Sequence, residues 1–200
     1  MRVDIATDRR ALRNIERRLG ALEKKAPNVL SKSLNRAATN AKKNVSVETR
    51  KKYRLSAAKI KETMNVKRAN YNSLSASIIT RGNLIGLDHF KVSPSEPRHH
   101  TPPRSLKAGV EKGSLKKIPG AFVANAGNGN FVFQRQGNAQ HKSVRSGGRV
   151  IQSQLPIRRL FGPSVPQMVG NEETMDVVRR NAQEMYDRTI DHEIERMLRR

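Results

Sequence analysis

The sequence predicts an α+β fold: N-terminal amphipathic helices, a small, mainly antiparallel sheet built on a β-hairpin, and a long C-terminal helix. Three patterns carry this prediction. Apolar residues recur at helical spacing from Leu12 to Leu22 and again from Leu30 to Val45. After Val66 the period shortens to two, and two strand-forming runs flank Gly127-Asn128-Gly129-Asn130. Beyond Asn171 the helical period returns and holds to the end of the chain.

In chain order, Val3 and Ile5 form a short strand, and Asp8 caps a helix from Arg9 to about Lys24. Pro27 suits the first turn of a second helix. Its stripe of Leu30, Leu34, Ala37, Ala38, Ala41 and Val45 is narrow and small-sided, which favours close packing over a binding groove. Ser56 caps a short third helix through Met64. Leu74, Ala76, Ile78 and Thr80 alternate with Ser75, Ser77, Ile79 and Arg81 as a strand with one wetter face. Ile85 to Val92 reads as an irregular strand, the proline-rich Ser93–Pro103 as a loop, and Leu106–Val110 as a strand.

The hairpin runs from Ile118 to Gln136. A two-residue type I′ turn at Asn128-Gly129 needs positive φ at both positions and sets Ala126 opposite Phe131, Ala124 opposite Phe133 and Phe122 opposite Arg135. Alternation then puts Phe122, Phe131 and Phe133 on one apolar face, the expected core. Asn138–Ser153 is polar and basic, with Gly147 and Gly148, and is expected to be a mobile loop. Pro156, Pro163 and Pro166 cannot donate ladder hydrogen bonds, so the segment around them is an edge strand or an extended arm. Asn171 caps the last helix, with Glu172, Glu173 and Asp176 in its first turn and Met175, Val178, Ala182, Met185, Ile190, Ile194, Met197 and Leu198 on its buried side.

Regions 1–65 (basic, helical), 66–170 (β-rich, with proline-rich and basic loops) and 171–200 (helix) together read as one composite domain. The chain has 200 residues and carries +23, with no Cys and no Trp. Such a balance calls for a polyanionic partner, either nucleic acid or acidic protein surface. The absence of Cys excludes disulfides, thiol catalysis and thiolate metal sites. No apolar h-region follows Met1, so no signal peptide is expected, and no window has the length a membrane span needs.

Catalytic constellations are missing. His89, His99, His100, His141 and His192 are scattered, and between residues 63 and 171 the only carboxylates are Asp88, Glu96 and Glu111. That is too few to cluster around metal ions for phosphoryl chemistry. No Gly-x-Ser-x-Gly is present, and Gly127-Asn128-Gly129 lacks the following Gly-Lys-Ser/Thr of a phosphate loop. No catalytic, cofactor or metal residue is therefore assigned. Two basic groups could meet phosphates: Lys42 and Lys43 with their neighbours, and Arg135, Lys142, Arg145 and Arg149. Neither has interleaved aromatics, so they could equally be a solvated face or a surface for acidic neighbours.

The words Ile118-Pro119-Gly120-Ala121-Phe122 and Leu155-Pro156-Ile157-Arg158-Arg159-Leu160-Phe161-Gly162-Pro163-Ser164-Val165-Pro166-Gln167-Met168 resemble the hairpin and following segment of the bacteriophage minor tail protein Z family. The resemblance implies a structural, non-enzymatic protein that completes the head-proximal end of a phage tail. It also implies a ring-forming homo-oligomer made in the host cytoplasm and kept in the virion. Its partners would be other tail and neck or connector proteins; the basic charge, separately, adds non-specific contact with the end of packaged DNA as an option, and neither a membrane nor a cofactor is expected. Pro156, Leu160, Phe161, Pro163 and Val165 then become candidate contacts between subunits, because the segment is too apolar for a solvated loop; the alternative is that it folds back over its own hairpin. The rivals are a free, non-specific nucleic-acid-binding protein and a helper that assists tail assembly and leaves.

Overall fold

The computed structural model describes residues 1–98, 105–136, 142–146, 149–153 and 156–199, with 142–146 and 149–153 described through backbone alone. The chain is α+β, and every strand pairing among the described residues is antiparallel. It divides into two compact units, one of Met1–Lys51, Ser56–Asn83 and Val165–Arg200, the other of Lys52–Leu55 and Leu84–Ser164. The C-terminal helix thus shares a unit with the N-terminal helices.

The first unit contains β1 (Arg2–Ala6), α1 (Arg9–Leu19), α2 (Ala26–Lys52), α3 (Ala57–Glu62), β2 (Met64–Lys67), β3 (Ser75–Thr80), α4 (Val165–Val169) and α5 (Glu172–Leu198). Caps set most of the boundaries. Asp8 accepts from the Ala11 amide at 2.7 Å, Ser56 from Lys59 at 3.3 Å and Asn171 from Glu173 at 3.1 Å. The first helix stops at Leu19, short of the expected Lys24, because Gly20 turns the chain with φ 54° into a 3-10 stretch, Gly20–Lys25. Pro27 is the second residue of α2, where its missing amide would have had no partner in any case.

The sheet runs β1-β3-β2. Ile5 pairs with Ala76, and Val66 with Ile78, so one face offers Ile5, Val66, Ala76 and Ile78 to the helices. Against it lie Ile15 and Leu19 of α1, Val29, Leu30, Leu34, Ala37 and Ala38 of α2, and Tyr186, Ile190 and Ile194 of α5. The expected stripe of α2 is indeed buried throughout. On α5 the buried side turns slightly from the expected one. Met185 is half-buried and Leu198 exposed, while Tyr186, Thr189 and Glu193 face inward. Buried Glu193 is answered by Arg196 at 2.6 Å and Lys32 at 3.8 Å, and Asp191 by Arg18 at 2.7 Å. The acidic last helix is thereby joined to both basic helices of its own chain.

The second unit contains β4 (Leu84–Gly86), β5 (Lys91–Ser93), β6 (Ser105–Gly109), β7 (Lys116–Pro119), β8 (Ala121–Asn125), β9 (Asn130–Arg135), β10 (Lys142–Ser146), β11 (Arg149–Ser153), β12 (Ile157–Arg159) and β13 (Phe161–Ser164). They form two three-stranded sheets, β5-β6-β7 and β12-β9-β8, and two pairs, β10–β11 and β13–β4. The expected irregular strand over Ile85–Val92 is β4 and β5 separated by a 3-10 turn.

The second unit departs from expectation in four respects. Ile118-Pro119 belongs to β7 and pairs with β6, because Gly120, with φ 69°, breaks the run before β8. The hairpin turn is not type I′ at Asn128-Gly129. No non-glycine residue has positive φ among those described, and Phe122 faces Phe133 with Asn125 facing Asn130. The Asn125 carboxamide accepts from the Gly127 amide at 3.0 Å, which starts the turn two residues early and lengthens the loop to 126–129. A shift of two keeps each side chain on its expected face, but the buried face is the other one. Ala121, Val123 and Val132 are buried, whereas Phe122, Phe131 and Phe133 are half-buried. Finally, within the expected loop Asn138–Ser153, β10 and β11 pair as a hairpin; residues 138–141 and 147–148 lie outside the description.

Two consequences are measurable in denaturant and pH melts. Leu34→Ala, at 0 % exposure, should destabilise by about 2–5 kcal/mol, whereas Val47→Ala on the outer side of α2 should stay within about 0.5 kcal/mol. The Tyr186 phenol, hydrogen-bonded to Thr7 at 2.7 Å, is held above its ordinary 10.0, mainly by burial; the Thr7 bond acts in the opposite sense, and the charges of Asp187 and Asp8 add to the rise. Its stabilising effect is therefore complete below about pH 10 and lost as pH climbs towards the raised value. Tyr186→Phe should flatten that alkaline decline.

Candidate interaction surfaces

The outer side of α2 is a line of cations. Arg36, Lys43 and Arg50 recur every seven residues, diametrically opposite the buried Leu34, Ala38, Ala41 and Val45, and all three are exposed. A fourth cation arrives from the β2–β3 connection. The Asn35 carboxamide donates to the Ala69 carbonyl at 2.9 Å and accepts from its amide at 2.8 Å. This two-way clamp seats Arg68 beside the helix. Asn35, Arg36, Thr39, Asn40, Lys43, Arg68 and Met185 line an open groove of about 450 Å³. Among the described residues none of Arg36, Lys43 and Arg68 makes an ion pair.

Of the sequence candidates, Lys43 lies in this groove and Lys42 does not. The Lys42 ammonium is half-buried and donates to the Met64 carbonyl at 2.9 Å, tying α2 to β2. Arg36 and Arg68 were not among the candidates. The seven-residue spacing of Arg36, Lys43 and Arg50 is legible in the sequence, but nothing local announces that Asn35 will hold Arg68 to it.

The second surface is the outer face of the β12-β9-β8 sheet. Phe122 and Phe133 stack with ring centroids 6.2 Å apart, and Arg135 lies 4.7 Å over the Phe122 ring. Arg159 lies 4.0 Å over Phe131 and 5.3 Å over Phe161, and donates to Asp88 at 3.0 Å. The cations thus cover the aromatic faces that were expected to form the core. Close approach depends on two glycines. A Cβ on Gly86 would meet the Arg159 guanidinium at 2.6 Å, and one on Gly162 would meet the Phe90 ring at 2.7 Å.

The proline-bearing segment folds onto its own chain. Ile157, Arg158 and Arg159 pair with Arg135, Gln134 and Phe133, and Phe161–Ser164 pair with β4. Of the candidate subunit contacts, Pro156 and Phe161 are exposed, Leu160 and Pro163 half-buried, and Val165 buried at 0 %. Val165 therefore belongs to the interior and is withdrawn as a surface contact. Leu155, His99, His100 and His141 lie outside the described residues, as do the side chains of Lys142, Arg145 and Arg149, whose backbones belong to β10 and β11. Arg135 is thus the one member of its basic group whose side chain is described, and it is stacked on Phe122.

Among the described residues no three His, Asp or Glu side chains gather as metal ligands, and no helix is long and apolar enough to cross a membrane. The family model of prophage minor tail protein Z (GPZ) matches residues 10–200. The chain belongs to that family. No curated protein and no solved structure gives a match. Membership in the minor tail protein Z family implies a structural role in a phage tail, with other virion proteins as neighbours.

The packing of the second unit gives a direct contrast. Gly162→Ala should destabilise by about 1–3 kcal/mol through the forced displacement of Phe90. Phe161→Ala removes an exposed ring and one cation contact, and should cost about 0.5–1 kcal/mol. Chemical denaturation of the two variants alongside the parent checks the difference.

Proposed function

We propose that this minor tail protein Z family member completes the tail at its head-proximal end and joins it to the head or neck as a homo-oligomeric ring. The observation that carries the reading is the family match over residues 10–200. The protein acts by binding and not by catalysis; it is made in the host cytoplasm and remains in the mature virion. Phe161, 49 % exposed, and Pro156 give the second unit an apolar rim for a neighbouring copy, beside the half-buried Leu160 and Pro163. A head-to-tail repeat of one such contact closes a ring when the rotation permits. The net charge of +23 suits a place beside the end of packaged DNA, which the protein would meet without reading sequence.

That charge also favours a second reading, a free and non-specific nucleic-acid-binding protein, and a transient assembly helper is a third. Mass spectrometry of purified particles separates them. The expected result is this chain at fixed stoichiometry in complete virions; its absence from complete particles would favour the helper or the free binder. Phe161→Asp should remain folded by circular dichroism yet yield tails that fail to join heads. Unfolding of the isolated variant would show that Phe161 serves its own unit.

A further inference from the structure

We propose that the groove beside α2 formed by Arg36, Lys43 and Arg68, and extended by Arg50, is a binding site for the phosphodiester backbone of duplex DNA. The inference rests on the reading that this protein meets packaged DNA, and it assigns the place where that contact is made.

Three like charges around one groove repel one another, and among the described residues no carboxylate pairs with any of them. On the same helix Lys32 is paired with Glu193 at 3.8 Å and Lys51 with Glu48 at 2.8 Å. Carboxylates are therefore supplied to α2 at some positions and withheld from the groove. The fold also works to gather the charges, since the Asn35 clamp on Ala69 brings Arg68 to them across more than thirty residues of sequence. Part of the neutral polar wall is already engaged: Asn35 bonds Ala69, Thr39 donates to the Asn35 carbonyl at 2.9 Å, and the Asn40 oxygen accepts from Asn44 at 2.6 Å. The charged groups the groove offers a ligand are all positive.

The arrangement selects among anions. Arg36, Lys43 and Arg50 stand about 10.5 Å apart on one rigid helix, a line of about 21 Å. Duplex DNA carries one negative charge per about 1.7 Å of axis, so on the order of a dozen phosphates pass such a line in any register. A folded acidic protein would have to place its carboxylates in matching register. No aromatic ring lines the groove, so it lacks a platform for unstacked bases and suits backbone contact alone.

The test uses the full chain and fluorescence anisotropy with two unrelated duplexes of equal length, between 50 and 200 mM salt, with poly-glutamate as a competitor of matched charge. The groove variant is Arg36→Gln/Lys43→Gln/Arg68→Gln. A control variant, Lys112→Gln/Lys116→Gln/Lys117→Gln, removes the same charge from exposed positions elsewhere. Each lost phosphate contact lowers the slope of log K against log salt by about 0.9, so the groove variant should lose about 2.7 of slope. It should weaken both duplexes alike, while the control keeps the parent slope. The single variant Lys43→Gln should lose about 0.9 and serves if the triple variant folds poorly.

Equal loss in groove and control variants would overturn the site while leaving DNA contact standing. Competition by poly-glutamate as effective as by DNA would assign the groove to an acidic protein and overturn the choice of ligand. No DNA binding by the parent at 50 mM salt would overturn the DNA reading itself, and the groove assignment with it.

Discussion

The first unit depends on the small-residue face of α2. Ala26, Ser33, Ala37, Ala38 and Ala41 are wholly buried, and short side chains there let α1, α5 and the β1-β3-β2 sheet approach one helix from several directions. Such packing leaves little slack, since interiors at crystal-like density relax only partly around a change of volume. The same constraint fixes the opposite side of the helix. With one face locked, Arg36, Lys43 and Arg50 point outward in a line, and the Asn35 clamp adds Arg68. Core and cationic groove are two sides of one 27-residue helix.

In the second unit, cohesion comes from short strands and from arginine stacked on phenylalanine. Arg135 and Arg159 lie over rings that a larger domain would bury. A guanidinium suits this role, being flat, weakly hydrated and able to keep a hydrogen bond such as that from Arg159 to Asp88. The pairing leaves Phe131 and Phe133 half-covered and Phe161 at the rim. That distribution suits a virion protein whose remaining apolar surface is to be shared with neighbours.

Charge is balanced locally and left unbalanced globally. Ion pairs join α5 to α1 and α2, where Glu193 is buried and would otherwise lack a counter-charge. The excess elsewhere is left for partners.

The sequence by itself determined the fold class, the caps at Asp8, Ser56 and Asn171, the buried stripe of α2 and the strand over Ser75–Thr80, because these follow from periodicity and from side chains that bond nearby backbone. The words around Phe122 and Leu155–Met168 were enough to point to the family. Tertiary structure alone decided which hairpin face goes inward. Alternation assigns Phe122, Phe131 and Phe133 to one side, but whether that side meets the interior depends on what lies above it, and here Arg135 and Arg159 do. It also decided where the segment after Pro156 goes, since an apolar strand pairs equally well with its own β9 or with another chain's edge until the rest of the fold is in place. Lys42 and Lys43 are adjacent in sequence and part ways for the same reason: one helical step of about 100° turns the first to the Met64 carbonyl and the second to the groove.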